Sequence, residues 1–297
     1  TDEGSDPDGD GLFGVMDEFL AYGTDPFLAD SDADGELDGD EVSGGTEPLN
    51  PADYAGAIPM AVGENLDLEL DPGRCAADGE GWAWGTVGSG PNRSWDGSNG
   101  WATDLVGITG NNRRMGLYLP PIDLTGASEP VLSFRLWSRH GNGDATSLQA
   151  WSAVEQAWTN VSPVTPAYQS NGPVGDPGWT AQGYLSNHVL AAFALDDWVG
   201  DRVLLRVMTA TDGGFNDSGA YLDELRLDEE GSDPDADGLP GVLAELAAGT
   251  DPFLLDTDFD GIDDGQEVAD GTDPTNPADW LGSPVWTIGS RIDLDLD

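Results

Sequence analysis

Acidic residues recur at every second position in two short stretches of the chain, from Asp30 to Glu41 and from Asp256 to Glu267. In each stretch Asp occupies positions 1, 3 and 5, Gly occupies position 6 and Glu occupies position 12. Ca²⁺ prefers about six to eight hard oxygen ligands, and three Asp on alternate residues can converge on one ion. The Gly permits the sharp bend, the carbonyl at position 7 adds a ligand, and the Glu closes the shell. The spacing therefore predicts a calcium site in each stretch, and the alternative is a solvated acidic loop.

The charge of the chain favours the same interpretation. The 297 residues include 57 acids and 10 bases, which gives a net charge of −47. Residues 1–53 hold 17 of the acids and residues 231–280 hold 14, without a base in either segment. Such segments repel themselves unless cations are part of the fold. This surface excludes nucleic acid as a partner, and no apolar run approaches the ~18 residues of a membrane span.

A repeat of whole-domain length organises the chain. Asp30 and Asp256 lie 226 residues apart, and the match continues from residues 50–53 to 276–279 and from 62–71 to 288–297. A period of this length is too long for a solenoid unit. We predict an acidic calcium module at 1–58, a large domain at 59–229, a second calcium module at 230–283 and the first strand of a following large domain at 284–297.

The large domain has the pattern of an all-β fold. Residues 66–70, 132–136 and 221–227 alternate between apolar and polar side chains, and clusters of Gly, Pro, Asn and Asp separate these runs. No long segment with a 3.6-residue period appears, which favours an antiparallel β-sandwich. The calcium modules have little apolar surface, with short helical turns expected at 12–20 and 239–248.

Both acidic modules resemble thrombospondin type 3 calcium repeats, in the form common in large bacterial surface proteins. The resemblance rests on Asp6-Pro-Asp8-Gly-Asp10-Gly11-Leu12, on the Gly-Thr-Asp-Pro that follows and on the second loop. It implies ligands in the second loops at Asp30, Asp32, Asp34, Glu36 (carbonyl), Asp38 (direct or through water) and Glu41, and at Asp256, Asp258, Asp260, Ile262 (carbonyl), Asp264 and Glu267. In the first loops it implies Asp6, Asp8, Asp10, Leu12 and either Asp17 or Glu18, and Asp233, Asp235, Asp237, Leu239 and Glu245.

The first loops depart from the repeat pattern at position 12. That position holds Asp17 in one module and Ala244 in the other, whereas both modules have Glu at position 13. One inserted residue after the Gly accounts for this shift, but it leaves the closing ligand open. We therefore expect the second loop of each module to bind calcium more tightly than the first.

The large domain resembles the MAM-like jelly roll known as the choice-of-anchor J domain. The matching segments include Gly81-Trp82, Trp101–Leu105, Leu117–Thr125, Leu132–Trp137 and Gly219–Leu225. The resemblance implies a mainly β jelly-roll sandwich that serves in secreted and surface proteins without catalysing a reaction. Related jelly rolls often hold one cation between the first and last strands, and Glu69 and Asp223 are the matching acids here. The alternative for both is a carboxylate on the solvent face.

No catalytic constellation is apparent in the sequence. His140 and His188 are the only histidines, and neither belongs to a zinc-binding pair. Cys75 is the only cysteine, which excludes an internal disulfide, and no base is evident near it. We therefore predict a protein that is not an enzyme. Nine of the eleven Trp lie in the large domain, where they serve core packing or, alternatively, a sugar-stacking platform.

Together these features predict an extracellular or cell-surface protein with Ca²⁺ as its cofactor. Its function is expected to be structural, in a surface stalk, adhesin or fibre, with adjacent copies of the repeat bound head to tail and surface glycans as further partners. The alternatives are a carbohydrate-binding module on a calcium spacer and the noncatalytic tail of a secreted hydrolase. The strand at 284–297 belongs either to the next repeat of a longer chain or to a strand donated to a neighbouring copy.

Overall fold

A computed structural model describes residues 4–32, 34–78, 81–152, 157–169, 177–180 and 185–279. The chain forms two compact units, one ending at Glu229 and one beginning at Glu230. The first calcium module belongs to the same unit as the large domain. The strand expected at 284–297 lies outside the described residues, so it stays a prediction.

The large domain is a β-sandwich, as predicted. Its described strands are, in chain order, β1 (Met60–Ala61), β2 (Glu64–Leu66), β3 (Ala76–Ala77), β4 (Ala83–Thr86), β5 (Asn99–Ala102), β6 (Arg114–Tyr118), β7 (Ile122–Asp123), β8 (Pro130–Arg139), β9 (Ala145–Ser152), β10 (Ala157–Asn160), β11 (Trp179–Thr180), β12 (Leu185–Ala194), β13 (Arg202–Val203), β14 (Leu205–Ala210) and β15 (Gly219–Glu229). A 3-10 helix spans Asp196–Trp198.

Two antiparallel sheets face each other. One sheet, here called the cleft sheet, has the order β10-β9-β14-β6-β3, with β11 beside β9. The other has the order β12-β8-β15-β5-β4, with β2 beside β15. The jumps in strand order, such as β8 next to β15, are those of a jelly roll and not of a meander of hairpins. A small third sheet joins β1, β7 and β13.

The core lies between the two large sheets. Leu148 and Val207 from the cleft sheet and Phe134, Phe193 and Leu222 from the opposite sheet are buried in one cluster. The period of two residues along each strand sends these side chains inward and their neighbours outward. The mainly β jelly roll predicted from the sequence is therefore confirmed.

One predicted strand is shorter than the apolar alternation suggested. The pattern from Leu66 to Leu70 predicts a continuous strand, but β2 ends at Leu66, where it pairs with Leu225. Leu68 has a φ of 61° and is buried, while Leu70 is 88% exposed. A left-handed residue breaks the ladder, so the chain turns and brings Glu69 toward residues 94–99.

Each calcium module contains two seven-residue helices. They are α1 (Val15–Ala21) and α2 (Asp38–Gly44) in the first module, and α3 (Val242–Ala248) and α4 (Asp264–Asp270) in the second. The turns expected at 12–20 and 239–248 are α1 and α3. The sequence did not indicate α2 and α4, because each begins at position 9 of a loop whose side chains were assigned to metal. No helix in the described part of the chain has the length and apolar character that a membrane span requires.

Candidate metal centres

In the second loop of the first module, each Asp holds the loop with one oxygen and turns another inward. Asp30 accepts a hydrogen bond from the Gly35 amide at 3.1 Å, and Asp34 accepts one from the Glu36 amide at 2.8 Å. Asp32 accepts one from the Asp34 amide at 3.2 Å. The remaining oxygens, Oδ1 of Asp30 and Oδ2 of Asp32 and Asp34, are buried and have no hydrogen-bond partner among the described residues. Oxygens of the three Asp lie within 4.8 Å of one another.

The closing Glu of this loop lies in the first turn of α2. Glu41 is completely buried, and neither of its carboxylate oxygens receives a hydrogen bond. A buried carboxylate without a partner is costly unless a cation or a proton neutralises it. Glu41 therefore occupies the place that the sequence predicts for a bidentate ligand.

The second loop of the second module, from Asp256 to Glu267 and here called the fourth loop, repeats this geometry. Asp256 accepts from the Gly261 amide at 2.8 Å, and Asp260 accepts from the Ile262 amide at 2.9 Å. Oδ2 of Asp258 is buried without a partner, as are both oxygens of the fully buried Glu267. The two copies agree although 226 residues separate them, which shows that the local sequence is sufficient to build the loop.

The first loops also have a buried closing acid, and it comes from position 13. In the first module Asp17 is exposed on α1, whereas Glu18 is buried with Oε2 unpartnered. In the second module Glu245 is buried with both oxygens unpartnered, beside the exposed Ala244. The expectation of weaker first loops depended on the absence of Glu at position 12, and the buried Glu at position 13 removes that basis. The order of the affinities stays a prediction.

A glycine before each first helix absorbs the extra residue. Gly14 has a φ of 93° and Gly241 a φ of 106°, values that disfavour other residues. Each donates its amide across the loop, to the carbonyls of Ser5 and Ser232 respectively. The bend delays the start of the helix by one residue, so the Glu at position 13 faces the Asp residues.

The remaining first-loop acids follow the pattern of the second loops. Asp6 accepts from the Gly9 and Gly11 amides at 2.8 and 3.2 Å, and both oxygens of Asp8 are buried without partners. Leu12 donates its amide to Asp10 at 2.7 Å. The equivalent contacts in the second module join Asp233 to Gly238, Asp235 to Asp237 and Asp237 to Leu239.

Asp38 joins the two loops of the first module. The repeat resemblance assigns it to the second ion, but the structure places an oxygen of Asp38 within 4.8 Å of oxygens of Asp10 and Glu18, which belong to the first loop. Asp38 also accepts hydrogen bonds of 2.7 Å from the amide and the hydroxyl of Ser31. A hydroxyl at loop position 2, Ser31 in one module and Thr257 in the other, is the sequence signal that could have indicated this role.

The two loops approach each other closely at a glycine in the second helix. A Cβ on Gly39 would lie 2.3 Å from the carbonyl oxygen of Asp10, and a Cβ on Gly265 would lie 2.3 Å from that of Asp237. The Gly265 amide donates to Asp237 Oδ2 at 3.0 Å. Only glycine allows the second helix to rest on the first loop at this distance, so each module is one packed pair of loops.

Burial and repulsion from neighbouring acids raise the pKa values of three closing glutamates when no metal is present. Burial, followed by repulsion from Asp32 and Asp34, raises the pKa of Glu41 from 4.5 to about 9. Burial, followed by repulsion from the Asp residues of the same loop, raises the pKa of Glu245 to about 8 and that of Glu18 to about 7. The fold holds these carboxylates close together despite the repulsion between their charges, and a bound cation would relieve that repulsion.

The donor set fits calcium better than a transition metal. Each loop offers buried carboxylate oxygens without hydrogen-bond partners, and no His or Cys belongs to the acid groups around them. Hard oxygen ligands select Ca²⁺ or Mg²⁺, and the number of carboxylates together with a closing Glu favours Ca²⁺.

The two acids expected to hold a jelly-roll cation do lie together. Glu69 and Asp223 have oxygens within 4.8 Å of each other and of a third acid, Asp96, which the sequence analysis missed. However, Glu69 Oε1 accepts from Ser94 and from the amides of residues 98 and 99, and Asp223 accepts from the amides of residues 95 and 224. These oxygens already hold a loop, so the cation at this place stays a prediction.

Two acids, the buried Asp53 and the half-buried Glu47, attach the first calcium module to the sandwich. Asp53 forms an ion pair with Arg202. Glu47 accepts a hydrogen bond from Trp151, and burial, followed by repulsion from Asp53, raises the pKa of Glu47 to about 7. The sequence pattern indicates no role for either acid, because their partners Arg202 and Trp151 lie 149 and 104 residues away.

The tryptophans of the large domain differ in burial. Trp82, Trp101, Trp137 and Trp179 are buried, whereas Trp84, Trp95, Trp151, Trp158 and Trp198 are half-buried. Trp84 and Trp198 also pack against the core, so core packing accounts for at least six of the nine. Cys75 is buried, and burial raises the pKa of its thiol to about 12.

The calcium repeat and the sandwich are each similar to parts of known proteins. Residues 256–277 match the bacterial TSP3 repeat, which confirms the type 3 resemblance over the fourth loop. Over 80 residues the chain is 32% identical to Bacillopeptidase F of Bacillus subtilis (strain 168), a match that spans 26% of this chain and 6% of that protein.

Among solved structures, the K1 cleaved adhesin domain of Lys-gingipain from Porphyromonas gingivalis W83 is similar at 15% identity and a TM-score of 0.35, over 57% of this chain and 98% of that domain. The C-terminal CBM6 of a marine laminarinase from Zobellia galactanivorans is similar at 10% identity and a TM-score of 0.31, over 56% of this chain and 98% of that domain. A CBM61 domain in complex with β-1,4-galactotriose is similar at 12% identity and a TM-score of 0.33, over 56% of this chain and 99% of that domain. The assignment of the sandwich to the MAM-like family stays a prediction.

Proposed function

We propose that this protein is an extracellular, calcium-stabilised module that presents a jelly-roll sandwich at a cell surface. The observation that carries the proposal is the set of buried carboxylate oxygens without partners, which recurs in all four loops. Bound Ca²⁺ neutralises these oxygens, so that an acidic segment with little apolar core becomes a rigid element. Extracellular calcium modules bind at about 10⁻⁴–10⁻³ M, which suits the calcium concentration outside cells.

The ligands we propose are those on which the loops converge. The first loop of the first module uses Asp6, Asp8, Asp10, Glu18 and Asp38, and the second uses Asp30, Asp32, Asp34 and Glu41, with carbonyls of Leu12 and Glu36 added from the repeat resemblance. The second module uses the equivalent residues. Asp17 has no place among these ligands because it faces solvent.

The finer role we propose is mechanical. Alternating sandwiches and calcium modules would form a surface stalk, adhesin or fibre, with adjacent copies of the repeat head to tail. The repeat of 226 residues and the similarity of the sandwich to an adhesin domain support this role. The match to part of a bacterial peptidase supports the alternative, in which this segment is a noncatalytic part of a longer secreted hydrolase.

Calcium titration and proteolysis test the proposal. We expect calorimetry of the full chain to detect calcium binding. We also expect chymotrypsin, which needs neither calcium for its activity nor a Lys or Arg in its substrate, to cut residues 4–50 and 231–279 in EGTA but not in calcium. Equal resistance to protease with and without chelator would show that calcium does not hold the modules. Glu41→Gln and Glu267→Gln should each remove one binding event, whereas the exposed Asp40→Asn should remove none.

A further inference from the structure

A cleft of about 610 Å³ opens on the outer face of the cleft sheet. One wall consists of strand residues of the sandwich, and the other consists of α1 and the second calcium loop, all within the same compact unit. The volume lies in the range of about 300–1,000 Å³ that small-molecule sites occupy.

The strand register places the sandwich wall of the cleft on the face opposite the core. Arg206 pairs with Tyr118 on one side and with Gln149 on the other, while its neighbours along β14 are buried in the core. Trp158 pairs directly with Trp151 across β9 and β10. Since directly paired residues project on the same face of a sheet, these five side chains form one continuous outer surface.

Mutual contacts hold the rings of this wall in place. The ring centroids of Trp151 and Trp158 are 5.5 Å apart, and those of Tyr118 and Trp158 are 5.7 Å apart in an edge-to-face arrangement. The Arg206 guanidinium lies 4.3 Å from the Trp158 centroid and donates hydrogen bonds to Tyr118 and Gln149. A surface fixed in this way loses little entropy when a ligand binds.

The opposite wall presents apolar groups to water beside polar ones. Phe19 and Leu20 on α1 are 57% and 67% exposed and line the cleft together with Tyr22. Asp32 of the calcium loop and Asp78 of the sandwich add carboxylates at its edge. Exposed apolar groups beside a few convergent polar ones are typical of a ligand site.

These groups match the chemistry of a sugar ring. A pyranose has an apolar C–H face that packs on the electron-rich face of an aromatic ring, and its hydroxyls both donate and accept hydrogen bonds around the edge. Carboxylates accept from such hydroxyls, and a guanidinium and a phenol donate to them. The two acids at the cleft and the charge of −47 on the chain disfavour an anionic sugar.

We propose that this cleft binds a neutral hexose oligosaccharide and that calcium in the first module fixes one of its walls. Tyr22 and Asp32 belong to the calcium module, and Asp32 has a buried oxygen directed into the second loop. Binding of the sugar therefore depends on calcium through the position of this wall. The calcium dependence rests on the function proposed above, whereas the sugar site rests on the aromatic wall alone.

The test uses the full chain with cellotetraose, laminaritetraose and β-1,4-galactotriose as neutral probes and sialyllactose as an anionic probe. With isotope-labelled tryptophan, we expect at least one neutral probe at up to about 10 mM to shift the indole N–H resonances of Trp151 and Trp158 in NMR spectra. Sialyllactose should bind at least about tenfold more weakly. Absence of shifts with all neutral probes, or equal binding of sialyllactose, would overturn the proposed ligand.

Matched variants locate the site. Trp158→Ala should weaken binding at least about tenfold, a loss common for a buried aromatic anchor. Trp95→Ala should leave it unchanged, because Trp95 is also half-buried beneath an arginine, with Arg135 at 4.2 Å, but lies outside the cleft. Tyr22→Ala, at a position that is 39% exposed, should weaken binding as well. Equal loss in Trp95→Ala, or none in Trp158→Ala and Tyr22→Ala, would refute the cleft as the site.

Chelation separates the two parts of the proposal. In EGTA we expect the sugar affinity to fall at least about tenfold, and calcium should restore it. An unchanged affinity in EGTA refutes the proposal that calcium fixes one wall of the cleft. In that case the Trp158→Ala variant still decides whether the cleft is the sugar site. If calorimetry detects no calcium binding while Trp158→Ala still abolishes sugar binding, the proposed calcium function fails and the sugar site stands.

Discussion

Replacing Gly39 by Ala should loosen the first calcium module without removing any ligand. The added Cβ would lie 2.3 Å from the Asp10 carbonyl oxygen and 3.0 Å from its carbon, about 1 Å closer than ordinary contact. Overpacking of this kind costs about 1–3 kcal/mol. Since Asp10 is a proposed ligand, we expect the module to open more readily and its first loop to bind calcium more weakly.

Gly44→Ala is the matched control, because Gly44 lies in the same helix and a Cβ there meets nothing within 4 Å. Both variants gain helix propensity of similar size, so the difference between them isolates the overlap with Asp10. The expected 1–3 kcal/mol corresponds to about 5- to 150-fold faster local opening.

Hydrogen–deuterium exchange in calcium measures this opening. Amides in residues 4–50 of Gly39→Ala should exchange faster than those of Gly44→Ala by the stated factor, whereas residues 231–279 should be unaffected in both. Gly265→Ala should reverse the pattern between the two modules. If Gly39→Ala and Gly44→Ala exchange at the same rate at every calcium concentration, the proposed packing of α2 on the first loop is wrong.

Four further predictions concern the same unit. Glu18→Gln should weaken calcium binding at least about tenfold, whereas Asp17→Asn should leave it unchanged in calorimetry; the reverse order would contradict the assigned register. The pKa of Glu41 in the metal-free fold is about 9, above its ordinary 4.5. The chelated module should therefore be most compact below about pH 4.5 and should open as the pH rises through about 9. Circular dichroism at constant salt that shows no loss of helical signal over this range would contradict the prediction. Calcium binding near pH 7 should release protons, which calorimetry in two buffers detects. Arg202→Ala, which leaves the buried Asp53 without its ion pair, should lower the free energy of unfolding in urea by about 1 kcal/mol; an unchanged midpoint would show that the pair does not contribute.

The aromatic cleft and the calcium modules bear on one functional question. A purely mechanical spacer has no need of a fixed outer surface of Tyr118, Trp151 and Trp158, and a free-standing sugar-binding domain has no need of two calcium modules. The aromatic cleft and the first calcium module belong to one compact unit. A calcium-stabilised surface protein that also holds a glycan would use both, and the Trp158 and Gly39 variants separate the two contributions.

The calcium loops could be predicted from the sequence because their geometry is local. Asp at positions 1, 3 and 5 converges within five residues, and the bend at position 6 needs only a glycine, so Asp30, Asp32 and Asp34 meet whatever surrounds them. The period of two residues in residues 132–136 likewise predicted the strand β8, which the structure buries on both faces. The net charge predicted that cations are needed. The same reasoning failed at Leu68, where a left-handed backbone that the side-chain pattern does not encode ends β2.

Only the tertiary structure decided which distant groups share a site. Asp38 lies with Asp10 and Glu18 because α2 packs on the first loop through Gly39, and Glu18 replaces Asp17 because Gly14 bends the chain before α1. The cleft joins residues from the calcium module to Trp158 and Arg206, more than 100 residues away. Such contacts depend on how whole elements pack and on the register between strands, and the free energy of that packing is summed over many side chains. No short stretch of sequence contains it, whereas the spacing of ligands in a loop is set by a dozen consecutive residues.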